Sequence, residues 1–67
     1  MLVELRQSIN LVLLDRMEMI DPPMPGQWFL HDQASYLVMQ RRHRYKLRSG
    51  RYELSSIVLL VKAQKQP

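Results

Sequence analysis

The chain has 67 residues, a mass of 8.0 kDa, a formal net charge of +4, 46% hydrophobic and 24% charged residues, which describes one small globular domain spanning residues 1 to 67 and excludes a multidomain enzyme. Cysteine is absent, so disulfides, thiolate catalysis and cysteine-ligated metal centres are excluded. A chain this short buries only ~60% of its unfolded surface, so a second copy is the expected extra support, as a homodimer.

The charge is unevenly divided. Arg6 and Arg16 stand against Glu4, Asp15, Glu18, Asp21 and Asp32 in residues 1 to 40, a net −3, whereas residues 41 to 67 hold eight cations against Glu53, a net +7. Clustered cations raise the local potential and steer anionic partners. The longest apolar run, residues 57 to 61, is far shorter than the ~20 residues of a membrane span, and Glu4 and Arg6 interrupt the stretch where a signal peptide would be apolar. A soluble, cytoplasmic protein is expected.

Residues 3 to 13 alternate, with Val3, Leu5, Ile9, Leu11 and Leu13 on one side and Glu4, Arg6, Ser8 and Asn10 on the other, a period of two that predicts a strand. A helix is the competing reading, because Leu2, Leu5, Ile9, Val12 and Leu13 also fit helical spacing. Three prolines and a glycine in residues 21 to 26 can continue neither element and predict a loop. Trp28 and Phe29 point to opposite faces of a short strand over residues 28 to 31, so one belongs to the core and the other to the surface. Asp32 to Ser35 reads as a polar turn.

A long strand is expected over residues 36 to 47. Strict alternation puts Leu37, Met39, His43, Tyr45 and Leu47 with Arg41 on one face, and Val38, Gln40, Arg42, Arg44 and Lys46 on the other. Ser49 and Gly50 suit a tight turn. Pairing Arg48 with Arg51 across it aligns Leu47 with Tyr52, Lys46 with Glu53 and Tyr45 with Leu54, each pair worth ~0.2 to 1 kcal/mol. Tyr45 and Tyr52 are thereby assigned to a cross-strand core. Ser55 and Ser56 predict a kink before a last strand over residues 57 to 62, and residues 63 to 67 are expected to fray. The methionines around the loop, Met17, Met19 and Met24, are expected as core or gap filler. These elements add up to an all-β fold of four to five strands: a small SH3-like or OB-like barrel, or a curled antiparallel sheet that closes its core by dimerising.

No catalytic constellation is present: there is no Gly-rich phosphate loop, no nucleophile elbow and no fixed carboxylate pair. His31 and His43 fall on different strands without an evident third ligand or orienting acid, and are expected to be structural or surface histidines. Neither a metal nor a cofactor is expected. The run from Arg41 to Tyr52 differs in kind, with six cations and two tyrosines in twelve residues and no acid. Arginine meets phosphate bidentately and stacks on bases, so Arg41, Arg42, Arg44, Lys46, Arg48 and Arg51, with Tyr36 as an exposed aromatic, form the candidate binding set for RNA or single-stranded nucleic acid. The alternative partner is an acidic protein surface, which would make the chain an interaction subunit or assembly factor of a photosynthetic or other multi-subunit complex.

Pro25-Gly26, Tyr36-Leu37-Val38, Arg41-Arg42-His43-Arg44-Tyr45, Ser49-Gly50-Arg51-Tyr52 and Ile57 together resemble a family of small uncharacterised cyanobacterial proteins carrying a domain of unknown function. The resemblance covers about residues 22 to 62 and leaves residues 1 to 20 unplaced. Where that pattern continues with a basic residue or histidine after Leu54, this chain has Ser55 and Ser56. The resemblance implies a cyanobacterial cytoplasmic or thylakoid-side setting and brings no activity, cofactor or catalytic residue.

Overall fold

Val3 and Leu5 are fully buried on strand β1 (Leu2–Gln7), and the strand ends where the chain turns back on itself. The Asn10 carboxamide oxygen accepts the Val12 N–H at 3.0 Å, Leu11 takes a φ of 62°, and Gln7 exchanges backbone hydrogen bonds with Leu11 and Val12. The segment expected as one strand over residues 3 to 13 is therefore a hairpin, with β2 (Leu13–Glu18) as its second arm. The alternation did not reveal this because an asparagine side chain closing its own turn leaves the apolar positions on either side of it, Ile9 and Leu11, exposed rather than in register with the core.

The computed structural model describes residues 1–64 as five strands in one curled half-barrel sheet, with β3 (Trp28–His31), β4 (Ala34–Arg48) and β5 (Arg51–Ala63) completing the order β2-β1-β5-β4-β3. The described residues contain no helix. All neighbours run antiparallel except β1 and β5, which pair in parallel from Val3 opposite Ile57 to Gln7 opposite Val61. The proline-rich segment is the crossing from one sheet edge to the other, as its composition predicts. Pro22 is buried, Gly26 takes a φ of 91°, and the Gly26 and Val38 amides donate to Val38 and Gln27 carbonyls respectively.

Two tight turns join β3, β4 and β5. Asp32 and Gln33 both have positive φ, as do Ser49 and Gly50, which is the geometry whose twist matches that of the flanking strands. The register at the second turn is the expected one: Arg48 opposite Arg51, Leu47 opposite Tyr52, Lys46 opposite Glu53 and Tyr45 opposite Leu54. The kink expected at Ser55 and Ser56 is a bulge within a single strand, with the Ser55 hydroxyl donating to the Arg44 carbonyl at 3.1 Å. A second bulge at Met39 corrects the face assignment, because the extra residue moves Val38 to the face of Arg41 and His43 and leaves Gln40, Arg42, Arg44 and Lys46 on the other. Ala63 pairs with Tyr36 and the Gln64 amide donates to the Ser35 carbonyl, so these two residues do not fray; the remainder of the expected tail, residues 65–67, lies outside the described residues.

Cross-strand partners share a face, and on the inner face Val3, Leu5, Val38, Ile57, Leu59 and Val61 form the buried core, covered by Leu14, Met17, Met19, Phe29 and Tyr36. Phe29 is thus the inward member of the Trp28-Phe29 pair. Met17 and Met19 fill gaps as expected, while Met24 is exposed. β5 is apolar on both faces: Val58 and Leu60 point outward yet are nearly buried.

Beyond the bulge at Ser55, the turn-ward ends of β4 and β5 pair only with each other, and the molecule reaches 51 Å along its longest axis. Tyr45 and Tyr52 sit on this projecting ribbon at 59% and 76% exposure. Their assignment to the core is corrected: the ribbon overreaches the sheet, so no other element packs against them.

Candidate polyanion-binding face

The register places the outer face in rows. Arg16, Glu4, Val58 and Arg42 lie side by side, Arg6, Leu60 and Gln40 form the next row, and Arg44 lies opposite Ser56. Along the ribbon the same face carries Lys46 with Glu53 and Arg48 with Arg51. Five of the sequence-predicted site residues, Arg42, Arg44, Lys46, Arg48 and Arg51, are therefore brought together on one surface.

Arg41 and Tyr36 fall on the opposite face. Arg41 donates from Nη1 to the Pro22 carbonyl and the Met24 sulfur, both at 3.1 Å, and its buried Nε has no partner among the described residues; it fastens the crossing loop to β4. Tyr36 is half-buried, with its ring 5.7 Å from that of Phe29. The aromatic that does share the cationic face is Trp28, which pairs with Leu37 in the row of Lys62 and is 54% exposed.

Glu4 organises the inner half of this surface. Its side chain is 7% exposed. Arg6 donates from Nε and Nη2 to Oε1 at 3.0 Å, Arg44 from Nη1 to Oε2 at 2.8 Å, and Arg16 Nε stands 3.8 Å from Oε2. Burial alone would raise the Glu4 pKa, but the Arg6 hydrogen bond and the charges of Arg44, Arg6 and Arg16 together outweigh it and hold the carboxyl below its ordinary value. Glu4, Arg6 and Arg16 were absent from the candidate set. Alternation placed Glu4 and Arg6 on one side of their strand; only the parallel pairing of β1 with β5 brings them next to Arg42 and Arg44.

The ribbon half is looser. Arg48 Nε lies 3.7 Å from Glu53 Oε2, with both side chains more than half exposed, a pairing worth little in water. Arg42 donates from Nε to the uncharged Gln40 carboxamide at 3.1 Å. The outer face thus holds one buried acid under several guanidiniums and, further out, cations in open solvent. Such a surface attracts anions by its field and offers planar guanidinium donors at close range.

His31 has acidic neighbours that the sequence did not reveal. Its Nε2 lies 2.8 Å from Asp15 Oδ2 and 3.5 Å from Asp32 Oδ2, and the three groups fall within 4.8 Å of one another. Asp15 belongs to β2 and His31 to β3, the two edges of the sheet, so this contact links the edges where no backbone ladder does. The hydrogen bond from His31, followed by that from the Arg16 amide, lowers the Asp15 pKa. His43 is exposed.

No helix in the described residues is long and apolar enough to cross a membrane. Comparison with curated proteins and with solved structures finds no match. A match does extend over residues 8–67, taking in most of the β1–β2 turn and β2, segments that the sequence resemblance left unplaced. The chain belongs to the Family of unknown function (DUF6464).

Proposed function

We propose that the protein is a non-enzymatic binding module whose outer cationic face holds single-stranded nucleic acid, with RNA as the first candidate. The observation that carries this reading is the shared face of Arg42 and Arg44 on the sheet with Lys46, Arg48 and Arg51 on the projecting ribbon. Side chains two apart on a strand are spaced by roughly 7 Å, so a flexible strand of phosphates laid along the ribbon meets several cations in turn. Trp28 on the same face supplies a ring for an unstacked base. A cytoplasmic location and a cyanobacterial setting belong to the same proposal.

A second reading rests on the reverse of the ribbon. Tyr45, Leu47 and Tyr52 are exposed there, at 59%, 63% and 76%, and aromatics backed by arginines suit a protein surface. In that reading the chain is an interaction subunit or assembly factor, or covers the ribbon with a second copy of itself.

Fluorescence anisotropy with a single-stranded RNA across a salt series tests the first reading. Four to five phosphate contacts give log Kd a salt slope of about 3 in magnitude, and Lys46→Gln with Arg51→Gln, both outside the Glu4 cluster, lowers it by about 1.4. A double variant that binds RNA like the wild type, with the same salt dependence, refutes the nucleic-acid reading. Nuclease-resistant capture of an acidic protein then favours the second.

A further inference from the structure

Between Arg6, Arg42 and Arg44 the outer face is concave. The depression measures about 390 Å³ and is lined besides by His43 and the exposed Leu11, with the nearly buried Val58 and Leu60 at its base. A neighbouring hollow of about 490 Å³, reaching Met39 and Ile9, shares Leu11, Arg42 and Leu60 with it, so the two form one groove that passes Arg42. Arginine at the rim over an aliphatic floor is the lining expected for a ligand with an anionic group and a flat apolar body.

The hydrogen bonds show which donors face this groove. Arg6 is committed inward: Nε and Nη2 hold Glu4, and Nη1 donates to the Leu11 carbonyl at 2.8 Å. It fixes the floor and the carboxylate. Arg44 uses Nη1 on Glu4 and Arg42 uses Nε on Gln40; among the described residues no other partner takes the remaining guanidinium N–H groups of either. Glu4 neutralises only part of the charge that Arg6, Arg44 and Arg16 bring to it, and Arg42 adds more. A buried carboxylate under several guanidiniums fixes their planes in advance, which reduces the ordering cost when an anion arrives.

We propose that this depression seats one phosphate group of a nucleotide, contacted by Arg42 and Arg44, with the sugar or base lying on Leu11, Val58 and Leu60 and with Glu4 as the positioning residue for Arg44. The proposal rests on the nucleic-acid reading above and sharpens it, because it divides the cationic face into one shaped site and a ribbon that acts through charge. The phosphate of a free nucleotide and that of a polynucleotide present the same chemistry here. The groove beyond Arg42 leaves room for the neighbouring unit of a chain.

The test is amide-resolved NMR titration of the full chain with inorganic phosphate, uridine, uridine monophosphate and a uridine octamer at constant ionic strength. Uridine monophosphate is expected to shift the amides of Leu11, Arg42, Arg44, Val58 and Leu60 and to bind more tightly than either phosphate or uridine alone. Arg42→Gln removes a charge-assisted contact and is expected to weaken uridine monophosphate about tenfold. Lys46→Gln with Arg51→Gln leaves the mononucleotide unchanged and weakens the octamer. Glu4→Gln adds one net positive charge, so a purely electrostatic surface binds the mononucleotide more tightly; loss of affinity in a folded variant identifies positioning. Tighter binding overturns the role of Glu4, and Arg42→Gln tests the seat in a background that keeps Glu4.

If the octamer binds while mononucleotide shifts spread evenly along the ribbon, or the ribbon variant weakens the mononucleotide as much as Arg42→Gln does, the seat is overturned and the polyanion reading stands. If the mononucleotide binds at the named amides and the octamer does not bind, the seat stands and the single-strand reading is overturned. An acidic peptide shifting these amides with no response to either nucleotide overturns both.

Discussion

Replacing Glu4 by Gln removes a charge while keeping the size of a side chain that is 7% exposed. The loss is worked from its partners. Arg6 makes two contacts at 3.0 Å with a side chain only 26% exposed, whereas Arg44 and Arg16 are 51% and 60% exposed. Hydrogen bonds to charged groups contribute about 1.5 to 3 kcal/mol when shielded, and the contributions of the two half-exposed arginines are discounted for solvent screening. The net cost is about 2 kcal/mol at neutral pH, or a Tm lower by roughly 10 °C for a chain of this size.

The pH dependence carries the sign. The Glu4 pKa is held below its ordinary value of 4.5, so its contribution is full above that value and is lost as pH falls through the lower folded-state pKa. Urea unfolding at a series of pH values is expected to show wild type and Glu4→Gln separated at pH 7 and converging as the pH falls below 4.5 and through the lower folded-state pKa. Equal stability at pH 7, or a gap of the same size at low pH, refutes the account of Glu4 as a charged hub.

Leu59→Ala opens a cavity at a fully buried position on the central strand, and chemical denaturation should show a loss of about 3 kcal/mol. His31→Gln removes the first cause of the lowered Asp15 pKa, so NMR titration of the Asp15 carboxyl should find its midpoint moved up toward the ordinary 3.8, and hydrogen exchange along β2 and β3 should quicken as the edge-to-edge contact is lost. Trp28→Ala, at an exposed position, should leave the unfolding midpoint near that of wild type while weakening single-stranded RNA by ~1 to 3 kcal/mol with an unchanged salt slope; a changed slope with unchanged affinity at low salt refutes stacking.

What was legible in the sequence was local. The Ser49-Gly50 turn and the pairs flanking it fix a register within a dozen residues, and that register stands as expected, as does the short strand of Trp28 and Phe29 with one ring in and one out. Two kinds of information were not local. The bulge at Met39 has no glycine or proline to announce it, and it carried Val38 to the core and left the cations on the other face. The parallel pairing of β1 with β5 joins residues at opposite ends of the described chain, so nothing near Glu4 in sequence announces Arg44. The same limit explains the tyrosines. Tyr45 and Tyr52 have the cross-strand neighbours of core residues, yet burial also requires a layer on top, and the ribbon has none.

The parallel pairing also bears on how the chain reaches its native state. β3, β4 and β5 form a meander whose contacts close over short spans, but β1 cannot find its place until β5 exists, because Val3 must meet Ile57 and Leu5 must meet Leu59. Closing so long a segment costs entropy before any contact returns it. The N-terminal hairpin is therefore expected to dock last and to set the folding rate. Substitutions in β1 that weaken the core should then speed unfolding or slow folding according to how far that docking has advanced at the barrier, while substitutions in the ribbon should leave both rates nearly unchanged.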